Sequence, residues 1–162
     1  MELFDSRKKK LERLISDHFG IISKVAFTYS NSPMDCEDLK QEISYQICKS
    51  YPRFRQKSKV TTWMYQVAIN TCMTHIRKRK PIVEELKEQH DRSIEEHEPH
   101  PKSHLLKGAI DSLKEAEKGL IVLYLEELPY KEIAEITGLS ENLVAVKILR
   151  IKNKLKEVLN GK

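Results

Sequence analysis

Apolar residues recur at three- and four-residue spacings through most of the chain, the period of helices with one buried face. Leu11, Leu14, Ile15, His18, Phe19, Ile22, Val25, Ala26 and Tyr29 form one such stripe, which predicts a single helix ended by Asn31-Ser32-Pro33. Asp35 is the predicted N-cap of a second helix, with Asp38 as a box-like acidic partner. That helix buries Leu39, Ile43 and Ile47 and stops near Tyr51-Pro52. A loop follows in which Arg53, Arg55, Lys57 and Lys59 interleave with Phe54. From Thr61 a third helix buries Trp63, Met64, Val67, Ala68, Cys72 and Ile76, and runs out in Arg77-Lys78-Arg79-Lys80 before Pro81.

The last block is helical by the same test. Leu105, Leu106, Ala109, Ile110 and Leu113 make a short amphipathic stretch, and Ser112 with Glu115 resembles a capping box for a helix carrying Leu120, Ile121, Leu123, Tyr124 and Leu125. Pro129 then opens Tyr130-Lys131-Glu132-Ile133-Ala134-Glu135-Ile136-Thr137, broken by Gly138-Leu139-Ser140. A final helix, Glu141 to Leu159, buries Val144, Ile148, Ile151 and Leu155. A short helix, a glycine-centred turn and a longer amphipathic helix make a helix-turn-helix. Ala134 lets the second helix cross closely, Gly138 supplies a left-handed backbone, and Ser140 caps the recognition helix. Its outer face carries Asn142, Lys147, Arg150, Lys152 and Lys154, with Leu143 at the third position, a set suited to base edges and phosphates of a major groove.

Charge divides the chain further. The 162 residues carry a net +5, but residues 1–80 hold +8, residues 81–103 hold −4 and residues 104–162 hold +1. The middle block has Pro81, Pro99 and Pro101, many acids and few apolar residues, so it reads as a flexible linker with at most a short helix near 84–89. The expected fold is therefore all-α: two small helical domains, 1–80 and 104–162, joined by the acidic linker 81–103. A basic first lobe points to a polyanionic partner.

Other chemistry finds little support. The chain has no HExxH, Walker loop, paired-carboxylate metal cluster or Cys/His constellation, so no catalytic residue, cofactor or metal site is predicted. His97, His100 and His104 lack cysteine partners and recognised spacing. Cys36, Cys48 and Cys72 are odd in number and widely spaced, which reads as reduced, buried small hydrophobes in a cytoplasmic protein. No apolar run is long enough for a membrane span or secretory signal.

The strings Asp35-Cys36-Glu37-Asp38-Leu39-Lys40-Gln41-Glu42, Tyr51-Pro52-Arg53-Phe54-Arg55 and Thr61-Thr62-Trp63-Met64-Tyr65-Gln66-Val67-Ala68-Ile69-Asn70, followed by the helix-turn-helix, resemble the extracytoplasmic-function sigma factors of bacterial RNA polymerase. The resemblance covers about 35–80 and 105–158. It implies that Asp38, Gln41 and Glu42 meet the β′ clamp helices of core polymerase. It implies that Arg53, Arg55, Lys57, Lys59, Trp63 and Tyr65 take melted DNA at the minus-ten element, with Asn70, Thr74 and Arg77 reading sequence beside them and His75 as a lesser candidate. It further implies that Ser140, Asn142, Leu143, Lys147, Arg150 and Lys154 meet the minus-thirty-five element. The β flap, promoter DNA and an anti-sigma factor are the other implied partners. Ala145 and Val146 depart from the family, where a basic or hydroxyl residue is common, and leave the base-by-base code open. From the residues alone, a stand-alone helix-turn-helix regulator with an N-terminal dimerisation or ligand domain stays open beside this reading.

Overall fold

The computed structural model describes residues 2–86 and 101–161, with side chains for 2–78 and 104–161. Eight α-helices and one 3₁₀ turn make up the described elements. The first stripe is split: α1 spans Glu2–Asp17 and α2 spans Phe19–Tyr29. His18 leaves the helical region at φ −113°, ψ 21°. Gly20, two residues on, weakens the local helix propensity, and α1 buries no residue fully, so nothing forces the two segments to be collinear.

Helix α3 spans Pro33–Ser50, and its N-cap is Ser32 rather than Asp35. The Ser32 hydroxyl oxygen accepts from the Asp35 amide at 3.1 Å, while the Asp35 carboxylate accepts from the Asn31 amide at 3.0 Å. Pro33 sits at the first helical position, where its missing N–H has no intrahelical acceptor to lose. A 3₁₀ turn, Tyr51–Arg53, follows.

Helix α4 spans Val60–Leu86 and runs through Pro81 instead of ending before it. Proline fixes φ near the helical value, so the chain can continue, at the cost of one backbone hydrogen bond and of crowding against the carbonyl four residues back. Helix α5, Pro101–Asp111, likewise begins earlier than the hydrophobic stripe predicts, with proline at its first position. The linker ends are thus helical; His97 and His100 lie outside the described residues, and His104 is exposed. Among the described residues no group of three His, Cys, Asp or Glu could hold a metal ion.

Helices α6, Glu115–Leu125, α7, Tyr130–Thr137, and α8, Glu141–Leu159, complete the chain. The Ser112–Glu115 box does not form. The Ser112 hydroxyl donates to the Ala109 carbonyl at 2.6 Å, and the Glu117 carboxylate accepts from the Lys114 amide at 3.3 Å. Lys114 is the residue at the cap position, and it has no side-chain acceptor to offer the first-turn amides.

Helices α2, α3 and α4 pack as one bundle around Ile22, Val25, Leu39, Ile43, Ile47, Met64 and Ala68, all fully buried. Helices α5 to α8 enclose Ile121, Leu123, Ile133, Val144, Ile148 and Ile151. The two cores are continuous, because α2 packs on α5 and α6 and α4 packs on α7. Gly119 makes the closest approach possible: a Cβ there would stand 3.1 Å from the Tyr29 hydroxyl and 3.4 Å from Ile69 Cγ2.

Of the three thiols only Cys72 is buried; Cys36 is half-buried and Cys48 is exposed. Cys48 follows Ile47 on α3, and the next residue along a helix turns away from the face its neighbour buries. Burial, with smaller contributions from Asp35 and Cys36, pushes the Cys72 thiol up to about 12. Alkylation of the native protein at pH 8 is therefore expected to label Cys48 readily and leave Cys72 unmodified until denaturant is added, since the thiolate is the nucleophile. Equal labelling of both in the native state, read by peptide mass mapping, would contradict this packing.

Candidate nucleic-acid interface and docking face

Four surfaces carry the residues of interest. On α3, Asp38 and Gln41 are exposed, and so are Met34 and Tyr45. Their spacings of three, four and seven put them on one side of the helix, away from Leu39 and Ile43. Met34 and Tyr45 were detectable from that spacing but drop out of any search for acids. Glu42 is placed differently. It is half-buried and accepts from Gln46 Nε2 at 3.1 Å.

Glu42 lines a cleft of about 470 Å³ between α3 and α4, together with Gln46, Asn70, Thr74, His75 and Lys78. Asn70 and Thr74 are exposed within it, and Arg77 is exposed on the next turn of α4 without lining it. His75 Nε2 is buried without a hydrogen bond among the described residues and stands 3.6 Å from an oxygen of the buried Asp35 carboxylate. The cleft joins acceptors and donors on two helices, a combination that can meet a base edge.

The basic loop lies at the start of α4. Arg53, Arg55 and Lys57 are exposed. Trp63 is half-buried, with its ring 4.9 Å from Phe54 and 6.2 Å from Tyr51, so three aromatic side chains form a cluster in the same loop-to-helix segment as the cations. Gln56 holds the loop in a left-handed turn at φ 57°. Exposed cations in one segment with aromatic rings are the chemistry that follows a single strand, by backbone attraction and base stacking.

Two predicted contacts of this loop are engaged elsewhere. Lys59 pairs with Glu132 of α7 at 2.6 Å, and Tyr65 is only 5% exposed. The Tyr65 hydroxyl donates to Glu126 at 3.4 Å, and burial followed by the Glu126 charge pushes its phenol up to about 12. Both residues thus belong to the seam between the halves. Gln66 Nε2 donates to the Glu135 carbonyl at 3.1 Å, and Lys24 pairs with Glu126 at 2.9 Å. Lys107 from α5 ends the series: its ammonium donates to the Thr28 and Ser30 carbonyls at 3.2 and 2.8 Å, at the C-terminus of α2. These are orphan carbonyls at the negative end of a helix dipole, a site that suits a cation.

The helix-turn-helix has the geometry its sequence predicts. Gly138 ends α7 at φ 76°, ψ 8°, and the Ser140 hydroxyl oxygen accepts from the Leu143 amide at 3.2 Å. Asn142, Leu143, Lys147 and Arg150 are exposed. Lys154 is exposed too but pairs with Glu117 at 3.0 Å. Burial works against the charge on Glu117, yet the Lys154 hydrogen bond holds its carboxyl below the ordinary value. Lys152 leans over the Tyr124 ring at 5.1 Å.

Comparison with known proteins places this geometry. The family model for Sigma-70 region 2 matches residues 14–82, and that for Sigma-70 region 4 matches residues 103–155. RNA polymerase sigma factor SigV of Bacillus subtilis is 30% identical over 155 residues, covering 93% of this chain and 91% of its own. ECF RNA polymerase sigma factor SigE of Mycolicibacterium smegmatis is 28% identical over 158 residues, 91% of this chain and 61% of that protein. Among solved structures, the sigma factor RpoE in complex with the anti-sigma factor NepR from Bartonella quintana superposes with a TM-score of 0.78 at 20% identity, over 95% of this chain and 99% of that one. CnrH in complex with the cytosolic domain of CnrY gives 0.68 at 18% identity, over 96% and 90%. These structures share the fold.

Proposed function

This chain belongs to the extracytoplasmic-function sigma factors, and on that premise we propose how its surfaces divide the work of promoter recognition. As an RNA polymerase sigma factor it directs core polymerase to promoters; the family is one of initiation factors without chemistry of their own. The observation that carries the assignment is the pair of region matches in one chain, region 2 before region 4. A stand-alone regulator would not need the first. No helix among the described residues is long and apolar enough to cross a membrane.

The α3 face of Met34, Asp38, Gln41 and Tyr45 docks on the basic β′ clamp helices of core polymerase, and the C-terminal domain meets the β flap. An exposed acidic face on a basic lobe supports this, because acids repel DNA but complement a basic protein. The loop cations Arg53, Arg55 and Lys57, with Trp63 and Phe54, capture the melted minus-ten strand. Asn70 and Thr74 read bases along the α3–α4 cleft, with Glu42 opposite them and Arg77 beside its end. Capturing unstacked bases offsets an opening cost of about a few kcal/mol. Helix α8 reads the minus-thirty-five element. Lys59 and Tyr65 reach DNA only when the seam to α6 and α7 parts, since both are engaged there. An anti-sigma partner that holds the factor silent belongs to the same proposal, supported by the fold shared with the sigma factor RpoE, solved with the anti-sigma factor NepR.

Reconstituted transcription tests the reading. Core polymerase plus this chain is expected to initiate at specific promoters, while the chain alone binds the same duplexes weakly. Tight binding by the chain alone to a palindromic site, with no specific initiation on adding core enzyme, would favour the stand-alone regulator instead.

A further inference from the structure

The outer face of α8 is more apolar than a phosphate-and-base reader requires. Leu143, Val146 and Leu149 are 41%, 46% and 59% exposed, at spacings of three and three, so they follow one another along the first turns. Val144, Ile148, Ile151 and Leu155 take the buried side, and at about 100° per residue Val146 points almost opposite to Val144. Helix α8 packs on α5, α6 and α7, and none of these covers the strip. Asn142 and Arg150 stand at its two ends on the same face and Lys147 at its side, all exposed. The strip therefore lies in the N-terminal half of the recognition helix, the part that enters the major groove in helix-turn-helix docking.

Aliphatic side chains make no hydrogen bonds, so they cannot read the donor and acceptor pattern of a base edge. The major groove presents one apolar feature, the C5-methyl group of thymine. An occupant here must be anionic at its margins, to meet Lys147 and Arg150, and apolar at its centre. Duplex DNA with thymines at the centre of the contacted stretch satisfies both conditions, and the strip is continuous with the face already assigned to the minus-thirty-five element. We propose that Leu143, Val146 and Leu149 read thymine methyl groups in the upstream promoter element, so that specificity at those positions comes from apolar contact while Lys147 and Arg150 hold the flanking phosphates. The proposal rests on the sigma-factor assignment and gives the Ala145-Val146 departure a physical meaning: a hydroxyl or basic reader is replaced by a methyl reader.

The test uses holoenzyme assembled from core polymerase and the full chain. Upstream elements are first selected from a randomised library by initiation, and thymine is expected at two or more adjacent positions. Each selected thymine is then replaced by deoxyuridine, which removes only the methyl group. Loss of one buried methyl is expected to weaken promoter binding about three- to fivefold at each contacted position. In holoenzyme carrying Val146→Ser, a substitution at an exposed site, the thymine-to-uracil ratio at one position should fall to near one while the salt dependence of binding stays unchanged. Equal binding of thymine and uracil promoters at every position, in a holoenzyme that initiates normally, would overturn the methyl-reading proposal and leave the sigma-factor assignment standing. Absence of any specific initiation would overturn both.

Discussion

Replacing Asp38 and Gln41 together by lysine is expected to abolish stable association with core polymerase while leaving the chain folded. Both side chains are exposed on α3 and bury nothing, and substitutions at such positions usually shift stability by only about 0.5 kcal/mol or less. Association is different. The same two positions would bring new positive charge against the basic clamp, where losing one close charge pair typically costs about 2–5 kcal/mol, or at least about thirtyfold in affinity. The acid-to-base change adds repulsion to that loss. Sedimentation or pull-down with core enzyme measures the effect, and an unchanged thermal melt shows that folding is intact. Glu42 is better left alone in this test, because its contact with Gln46 and its place on the α3–α4 cleft would mix two effects. Near wild-type binding by the double variant would refute the docking face.

Removing the Tyr29 side chain is expected to be the most damaging single truncation for stability. Tyr29 is 1% exposed at the junction of the two cores. Its hydroxyl donates to the Glu115 carbonyl at 2.8 Å, across 86 residues of sequence. Tyr29→Ala leaves a cavity on both sides of the seam and should cost about 3–5 kcal/mol, a large share of the roughly 5–15 kcal/mol that holds a domain together. Tyr29→Phe keeps the ring and loses the hydrogen bond, and should cost about 1 kcal/mol. Burial raises the phenol well above its ordinary value of 10.0, so the folded state holds the proton more tightly than the unfolded state does. The associated stability is present below about pH 10 and is lost as pH rises beyond it. Urea melts of the two variants at neutral pH, and of the wild type between pH 8 and 11, check all three statements. A Tyr29→Ala loss no larger than that of Tyr29→Phe would mean that the two halves do not share this core.

Much of the local structure was legible because it depends on neighbours in sequence. Gly138 and Ser140 form the turn and cap that their types predict, since a left-handed backbone and an N-cap hydroxyl are satisfied within three residues. The helix-forming stripes that end in Leu39-Ile43-Ile47 and Val144-Ile148-Ile151-Leu155 are buried as their period requires. Local signals also misled where two were available. Ser32 and Asp35 can each cap α3, and the serine takes the role while the aspartate braces the Asn31 amide. Pro81 reads as a stop signal, yet α4 passes through it: its φ is compatible with a helix, although an interior proline forfeits one backbone hydrogen bond and crowds the carbonyl four residues back.

The partners of the charged and aromatic groups lay beyond reach of any sequence pattern. Lys59 stands in a basic loop and reads as a DNA contact, but Glu132, 73 residues away, holds it at 2.6 Å. Tyr65 reads as one aromatic among several, and only the packing of α4 against the C-terminal helices buries it. Lys107 carries no motif at all, yet it closes the C-terminus of α2. By itself the order of residues determined most of the buried helical stripes, the helix-turn-helix and the family, since these follow from periodicity and strings of adjacent side chains, while the split of the first stripe and several helix ends did not. The seam, the split of Glu42 from Asp38 and Gln41, and the bare apolar strip on α8 were decided by tertiary packing. Which face of a helix meets water depends on neighbours far away in the chain, and a local pattern carries no record of them.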